Sequence, residues 1–228
     1  MRVGILGGTF DPFHEGHHKL GLAMLDRLGL DQVWLMVAGE PPHKVARSLT
    51  SPWHRFAMAV LGTESDMGLF VSTLELEREG PSFTADTMSE LSSRFPHRFC
   101  FIAGADALRE IHLWKDCARL FYEYCLVFVA REGVQIDLGK LPVSEIAGIR
   151  PEPIRPGRRP PLEAGRMYIV NDWTPPPVSS TLVRELLSEG KDPGRSQLDV
   201  RVYQYIRKYH LYERESAVGD STQSLSDC

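Results

Sequence analysis

Short apolar runs alternate along the chain with stretches in which apolar residues recur at the spacing of a helix. The runs predict strands at residues 2–6, 32–38, 69–73, 98–103, 125–130 and 167–170. The helical spacing predicts helices from about residue 16, where Leu20, Ala23, Met24 and Leu28 recur, and at residues 52–61, 86–95, 105–112 and 117–122. Such alternation is typical of parallel strands joined by crossover helices. The sequence therefore predicts an α/β fold with a Rossmann-like, doubly wound parallel sheet.

The 228 residues are enough for one substantial core, and we expect a single domain over residues 1–212. Residues 132–166 are rich in proline and arginine and lack periodicity, which predicts a long surface loop or insertion. A passive linker, a substrate lid and an oligomer contact all stay open as its role. Residues 172–212 predict a small C-terminal helical part, and the polar, serine-rich residues 213–228 predict a disordered tail.

The first apolar run leads directly into a glycine turn and a pair of histidines. Gly7 and Gly8 allow turn geometry and let a ligand approach the backbone closely. His14 and His17 stand where the first helix is predicted to begin, and the free N–H groups and the dipole of a helix N-terminus attract anions. Residues three apart on a helix share a face, so both imidazoles can contact one charged group. This segment predicts a phosphate-binding site.

A second segment near the C-terminus has similar features. Prolines at 175–177 precede Ser180 and Thr181, which we predict to cap a helix that contains Leu182 and Leu186. Arg184 lies one turn into that helix and can turn back toward an anion at its N-terminus. In doubly wound sheets, ligands bind beyond the carboxyl ends of the strands, and the histidine segment follows such an end.

Other interpretations of the histidine segment are weaker. Residues 14–18 also satisfy the H-E-x-x-H zinc protease motif, but the third ligand position of its extended form holds Met24. In addition, Pro12 and Gly16 place the segment at a boundary between loop and helix. The dinucleotide fingerprint G-x-G-x-x-G and the P-loop pattern are absent from the sequence. The remaining alternative is a simple glycine turn beside surface histidines.

Composition changes this picture little. The net charge is −4, with 43% apolar and 25% charged residues, which is ordinary for a globular enzyme and gives no reason to expect nucleic-acid binding. No apolar run approaches the length of a membrane span, and the N-terminus enters the first strand without a signal peptide. We therefore expect a cytoplasmic protein with no membrane partner. The four cysteines form no C-x-x-C pair, and we expect them to be reduced thiols.

The two segments together resemble a known family. Residues 7–12 with His14-x-Gly16-His17 match the H-x-G-H box of the nucleotidyltransferases, and residues 179–184 resemble their C-terminal S-S/A-T-x-x-R box. Similarity to the nicotinate-nucleotide adenylyltransferase branch extends over roughly residues 1–210 and includes residues 42–44, 82–87, 104–108, 114–115 and 129–131. The resemblance implies the nucleotidyltransferase type of Rossmann-like fold. It also implies Mg²⁺-dependent transfer of AMP from ATP to nicotinate mononucleotide, which yields deamido-NAD and pyrophosphate in NAD biosynthesis.

The resemblance also implies roles for individual residues. Its catalytic positions fall on His14, His17, Lys44 and Arg184. Its ATP-binding positions fall on Gly8, Thr9, Phe10, Gly104, Asp106, Ser180 and Thr181. Its mononucleotide-binding positions fall on Arg55, Thr84, Trp114 and Arg131, although either arginine could instead be an ordinary surface ion-pair residue. Phe83 stands where the family more often has tyrosine, which removes one hydroxyl from the mononucleotide pocket.

Two kinds of alternative stay open. A related adenylyltransferase would act on nicotinamide mononucleotide, phosphopantetheine or FMN. A non-catalytic nucleotide-binding regulator would not require every charge that suits a transition state, so the full set of catalytic positions favours an enzyme. Since residues 82–87 contain no lysine or arginine, we expect backbone N–H groups or a hydroxyl to hold the nicotinate carboxylate. The sequence leaves homo-oligomerisation open.

Overall fold

Seven strands form one sheet in the part of the chain that the computed structural model describes, which is residues 1–42, 49–130, 150–154, 157 and 159–213. They are β1 Arg2–Gly8, β2 Gln32–Val37, β3 Leu69–Ser72, β4 Arg98–Gly104, β5 Cys125–Val129, β6 Glu152–Pro153 and β7 Met167–Val170. Their order across the sheet is β3-β2-β1-β4-β5-β7-β6, and all neighbouring pairs are parallel. The order reverses between β1 and β4, so the predicted doubly wound parallel sheet is confirmed.

Helices connect and cover these strands. The α-helices of the described residues are α1 Glu15–Arg27, α2 Pro52–Thr63, α3 Thr84–Arg94, α4 Cys117–Glu123, α5 Ser180–Ser188 and α6 Val200–Lys208. Two short 3-10 helices, Ala105–Arg109 and Ile111–Leu113, follow β4. None of the helices in these described ranges is long and apolar enough to cross a membrane.

Two buried clusters cover the two faces of the sheet. Successive strand residues point to opposite faces, so Leu6 of β1 joins the first cluster and Ile5 joins the second. Helices α1, α2, α5 and α6 contribute to the first cluster, for example through Met24 of α1. Helices α3 and α4 contribute to the second, through Met88 and Phe121 among others. Because both faces are covered, the strands consist of almost continuous apolar runs.

Most predicted boundaries agree with the structure to within two residues, but one predicted helix is wrong. The predicted helix at 105–112 is a pair of 3-10 helices, because Glu110 has φ −119° and its N–H donates to the Ala107 carbonyl at 3.1 Å in the i, i+3 pattern. Within the loop or insertion predicted at 132–166, the described residues include β6, a two-residue strand at the edge of the sheet, where Pro153 is tolerated. The loop or insertion as a whole stays a prediction.

Several predictions fall outside the described residues. These are Lys44, Arg131, the part of the predicted loop at 132–149 and the predicted tail beyond residue 213. The single-domain assignment of residues 1–212 also stays a prediction.

Candidate active site

A cleft of about 930 Å³ lies at the carboxyl edge of the sheet, where the strand order reverses. The end of β1 contributes Gly8 and Thr9 to its lining, and the end of β4 contributes Gly104. Doubly wound folds bind ligands here because the loops that leave the two strands run to opposite faces of the sheet and open a crevice. The structure thus places the predicted glycine turn in the wall of a ligand-sized cleft.

The two histidines of the first motif form a stacked pair in this cleft. His14 is the N-cap residue of α1, and the rings of His14 and His17 have centroids 3.7 Å apart and planes inclined by 17°. The backbone N–H of His14 donates to Nδ1 of His17 at 3.3 Å. Because Nδ1 is an acceptor here, a neutral His17 carries its proton on Nε2, which makes that atom a donor. Imidazole donors beside the positive end of a helix suit a bound anion.

Two neighbours hold this pair in place. A Cβ at Gly16 would lie 2.9 Å from Cε1 of His14 and 3.0 Å from its Nδ1, so a side chain there would displace the His14 ring. On the other side, the buried Phe10 presents its ring edge-on to His17, with centroids 4.9 Å apart and planes at 90°. The side chain of Phe10 therefore orients His17, and any contact between Phe10 and ATP would fall to its backbone.

The N-cap of α5 lies one residue earlier than predicted. The side chain of Ser179 accepts the N–H of Leu182 at 3.2 Å, so Ser179 is the N-cap residue. Ser180 and Thr181, the predicted caps, are instead the first two residues of the helix. Three adjacent hydroxyl residues are equally good caps by type, and only the extended backbone of Ser179, with φ −130° and ψ 147°, distinguishes them.

Hydrogen bonds join the second motif to the first. Ser180 Oγ donates to the Pro12 carbonyl at 3.2 Å, and Arg184 Nη1 donates to the Asp11 carbonyl at 2.6 Å. Ser180 lines the cleft, whereas Thr181 and Arg184 line a smaller depression beside it. The structure therefore brings the two motifs together and places Arg184 at the margin of the cleft.

A buried carboxylate ties the C-terminal end of the described chain to the first motif. Asp11 is 1% exposed, and its Oδ1 accepts the hydroxyl of Tyr212 at 2.6 Å while its Oδ2 accepts the N–H of Thr50 at 3.3 Å. Burial raises the pKa of Tyr212, and the neighbouring Asp11 charge raises it further. No motif or periodicity marks Tyr212, because its partner lies 201 residues away in sequence.

Arg55 is 1% exposed and does not line the cleft. Its Nε donates to the Thr50 carbonyl at 2.9 Å, its Nη1 to the Thr9 carbonyl at 2.7 Å and its Nη2 to the Gly39 carbonyl at 3.2 Å. Burial lowers the pKa of Arg55, while the charge of nearby Asp11 opposes that shift. The structure therefore gives this arginine three loop carbonyls as partners where the sequence predicted a mononucleotide phosphate.

The residues predicted for adenosine and for the mononucleotide ring come from two segments that line the cleft, the connection after β4 and the start of α3. Gly104 and Asp106 follow β4, with Gly104 preceding the first 3-10 helix and Asp106 inside it. Thr84 is the first residue of α3 and also lines the cleft. Trp114 follows the second 3-10 helix and packs edge-on against Phe101 of β4, with ring centroids 5.9 Å apart.

Glu75 is a buried carboxyl group in the cleft wall that the sequence pattern does not reveal. Thr87 Oγ1 donates to Glu75 Oε1 at 2.5 Å, and the Ser82 hydroxyl lies near this carboxyl group. Burial raises the pKa of Glu75, and both hydroxyls oppose that shift. Ser82 Oγ in turn accepts the N–H of Gly39 at 3.0 Å. Glu75 therefore bonds to α3 through Thr87, and Ser82 connects the segment before α3 to the loop after β2.

The zinc protease alternative requires two histidines one turn apart inside a helix. His14 instead precedes α1 and stacks on His17, and Nε2 of His18 lies 2.8 Å from the Asp66 carboxylate. Among the residues that the structure describes, no group of three or more His, Cys, Asp or Glu side chains is placed to hold a metal ion.

Comparison with known proteins identifies the family. The family model described as cytidylyltransferase-like matches residues 5–186. A "Probable nicotinate-nucleotide adenylyltransferase" of Thermoanaerobacter sp. is 35% identical over 225 residues, which cover 96% of this chain and 98% of the relative. A protein of the same name from Thermus thermophilus is 40% identical over 213 residues, which cover 93% of this chain and 100% of the relative. This chain belongs to the nicotinate-nucleotide adenylyltransferase family.

A solved structure agrees with this assignment at the level of the fold. Plasmodium falciparum nicotinic acid mononucleotide adenylyltransferase, complexed with NaAD, superposes with a TM-score of 0.69 at 19% identity, over 92% of this chain and 97% of that chain. The nucleotidyltransferase type of Rossmann-like fold is thus confirmed. The two relatives confirm the resemblance to the nicotinate-nucleotide adenylyltransferase family. Both motifs lie within the span of the family model, whereas Tyr212 lies beyond it.

Proposed function

We propose that this protein transfers AMP from ATP to nicotinate mononucleotide, with deamido-NAD and pyrophosphate as products. The stacked pair of His14 and His17, in a cleft at the reversal of strand order, is the observation that carries the proposal. Paired imidazoles at a helix N-terminus suit phosphate groups, and the family assignment supplies the substrate class.

Both reactants are anions, so the reaction depends on alignment and on neutralisation of charge. An oxygen of the mononucleotide phosphate attacks the α-phosphorus of ATP. The bond from that phosphorus to the bridging oxygen breaks, and pyrophosphate leaves with the electron pair. The attacking phosphate is already ionised near neutral pH and needs no general base. Donors that are already oriented toward the developing charge therefore account for the catalysis.

The proposed roles follow the walls of the cleft. Nε2–H of His17 stabilises the α-phosphate, with His14 beside it on the phosphate chain. Ser180, Thr181 and Arg184 receive the leaving pyrophosphate at the start of α5, where Ser180 already lines the cleft. Lys44 and Arg131 keep their proposed roles as phosphate-binding residues from loops after β2 and β5.

We assign different residues to ATP and to the mononucleotide. Gly8, Thr9 and the Phe10 backbone hold ATP at the end of β1, and Gly104 and Asp106 hold its adenosine at the end of β4. Thr84 and Trp114 bind the nicotinate ring, where an aromatic face can stack on a pyridinium cation.

Mg²⁺ would reach this site bound to ATP. The carboxylates of Asp106 and Glu110 line the cleft, and Mg²⁺ in nucleotide enzymes typically takes one or two carboxylates beside phosphate oxygens and water. The described residues offer no complete protein cage, which fits an ion held mainly by the phosphates. Such an ion neutralises phosphate charge.

Pyrophosphate release with each mononucleotide tests the proposal. With ATP and Mg²⁺, we expect kcat/KM to favour nicotinate over nicotinamide mononucleotide by at least about tenfold, because the amide NH₂ would face groups that are already donors. Chelation of Mg²⁺ should stop turnover. Equal use of both substrates would contradict the acid preference, and no pyrophosphate with either would contradict the proposed reaction.

Trp114→Ala is expected to raise KM for nicotinate mononucleotide by about tenfold, since stacking of a cation on an aromatic face is worth roughly 0.5–2 kcal/mol. KM for ATP should stay nearly unchanged, and steady-state kinetics with each substrate varied in turn measures both. Trp53→Ala is the matched control, because Trp53 is 56% exposed on α2 and does not line the cleft. An equal loss of affinity for ATP would show that Trp114 only supports the fold.

A further inference from the structure

A lysine from outside the predicted mononucleotide segment lies over that segment. Nζ of Lys115 is 5.1 Å from the centroid of the Phe83 ring, and it lies 3.0 and 2.9 Å from the two carboxylate oxygens of Asp86. Phe83 is the N-cap residue of α3, and Thr84 is the first residue of that helix. Lys115, Phe83 and Thr84 all line the cleft. The fold thus places a cation beside residues 82–87, a segment that contains no lysine or arginine of its own.

The position of this cation is distinctive. Among the described residues that line the cleft, the lysine and arginine side chains are those of Lys115 and Arg109. Arg109 ends the first 3-10 helix, on the wall where we place adenosine. Lys115 directly follows Trp114, where we place the pyridine ring. A positive charge near that ring separates an acid substrate from its amide, because only the acid carries a negative charge on the ring substituent.

We propose that Lys115 is a specificity-determining residue that draws the nicotinate carboxylate into the cleft and thereby sets the preference for the acid over the amide. This inference rests on the proposed function and deepens it. It also changes the expectation drawn from residues 82–87, because the donors for the carboxylate then include a charged side chain from elsewhere in the chain.

The ion pair with Asp86 does not prevent Lys115 from binding the nicotinate carboxylate. The side chains of Lys115 and Asp86 are 44% and 35% exposed, so water screens their attraction. An ammonium group has three N–H donors, and its flexible four-carbon stem can keep Asp86 as a partner while it turns a hydrogen toward a second carboxylate. A carboxamide in the same place offers no negative charge and gains little from Lys115.

Direct binding measurements with Lys115→Met test the inference. Titration calorimetry of the intact chain with nicotinate and with nicotinamide mononucleotide gives the ratio of the two dissociation constants without any need for turnover. We expect the variant to bind the acid about fivefold more weakly, as for one partly exposed charge pair, and to bind the amide as the wild type does. The acid preference of the wild type should also shrink between about 0.05 M and about 0.5 M salt.

Two control variants at lysine positions and one variant that removes the charge of Asp86 complete the design. Lys115→Arg should keep most of the acid preference, and Lys191→Met should keep all of it, since Lys191 is an exposed lysine paired with Glu189 outside the cleft lining. Asp86→Asn should increase the preference, because Lys115 then faces one carboxylate instead of two. The melting temperature of each variant shows that it is folded.

The outcomes separate the inference from the proposed function. An unchanged binding ratio in Lys115→Met would overturn the inference, and so would an equal loss of affinity for acid and amide. Absence of pyrophosphate release by the wild type would overturn the proposed reaction but would leave the binding ratio as a valid measure of the role of Lys115.

Discussion

His17→Ala is expected to lower kcat by about a hundredfold or more while the protein stays folded. The expectation follows from the loss of one preorganised donor that faces the developing charge on the α-phosphate, a loss that costs about 10²–10³ in kcat in other enzymes. KM for ATP should change much less, since a contact that strengthens only in the transition state contributes little to ground-state binding. Steady-state pyrophosphate release measures both constants.

His18→Ala is the matched control for this prediction. His18 is the next residue of α1, but its Nε2 lies 2.8 Å from the Asp66 carboxylate and it does not line the cleft. We expect near-normal kcat in this variant. Near-normal turnover by folded His17→Ala would refute the role that we give to His17, whatever the control shows.

Arg55→Met is expected to destabilise the protein by about 3–5 kcal/mol, because it removes a buried cation that donates three hydrogen bonds and lies near a buried carboxylate. The change leaves the carbonyls of Thr9, Gly39 and Thr50 without their donor and leaves the Asp11 carboxylate buried without the nearby cation. Urea unfolding of wild type and variant gives the difference in free energy of unfolding. KM for nicotinate mononucleotide should stay close to the wild-type value under conditions in which the variant is folded.

Arg94→Met serves as the control for loss of an arginine as such. Arg94 is more than half exposed and pairs with Glu90 one turn away on α3, so its removal should leave stability almost unchanged. A stable Arg55→Met protein with a strongly raised KM for the mononucleotide would restore the phosphate contact predicted from the sequence and contradict the structural role.

Features that depend on short stretches of chain were predictable. Parallel strands buried on both faces need nearly continuous apolar runs, so β1 and β4 could be recognised from residue type alone. The histidine pair was predictable for the same reason. His14 and His17 are three residues apart at a helix start, and that spacing is enough to bring their side chains together.

The N-cap of α5 and the strand β6 could not be predicted, because the local alternatives differ little in energy. Ser179, Ser180 and Thr181 are chemically similar caps, and the extended backbone at Ser179 decides which of them is the N-cap. The two-residue strand β6 is too short to give a periodic signal, and it exists because β7 offers a free edge. In both places, tertiary context selects among local alternatives of nearly equal energy.

For other residues, contacts between distant segments determine the structural role, and the sequence alone could not predict it. Arg55 resembles a phosphate-binding residue by type, yet it is buried and donates to three backbone carbonyls, one after β1 and two in the connection between β2 and α2. Tyr212 reaches Asp11 from the far end of the described chain, and Lys115 reaches Phe83 and Asp86 across the cleft wall. Residue type and spacing determine which groups can bind an anion. Burial and the pairing of distant segments determine which of them face the cleft, because a charged side chain that enters the interior must find its partners there.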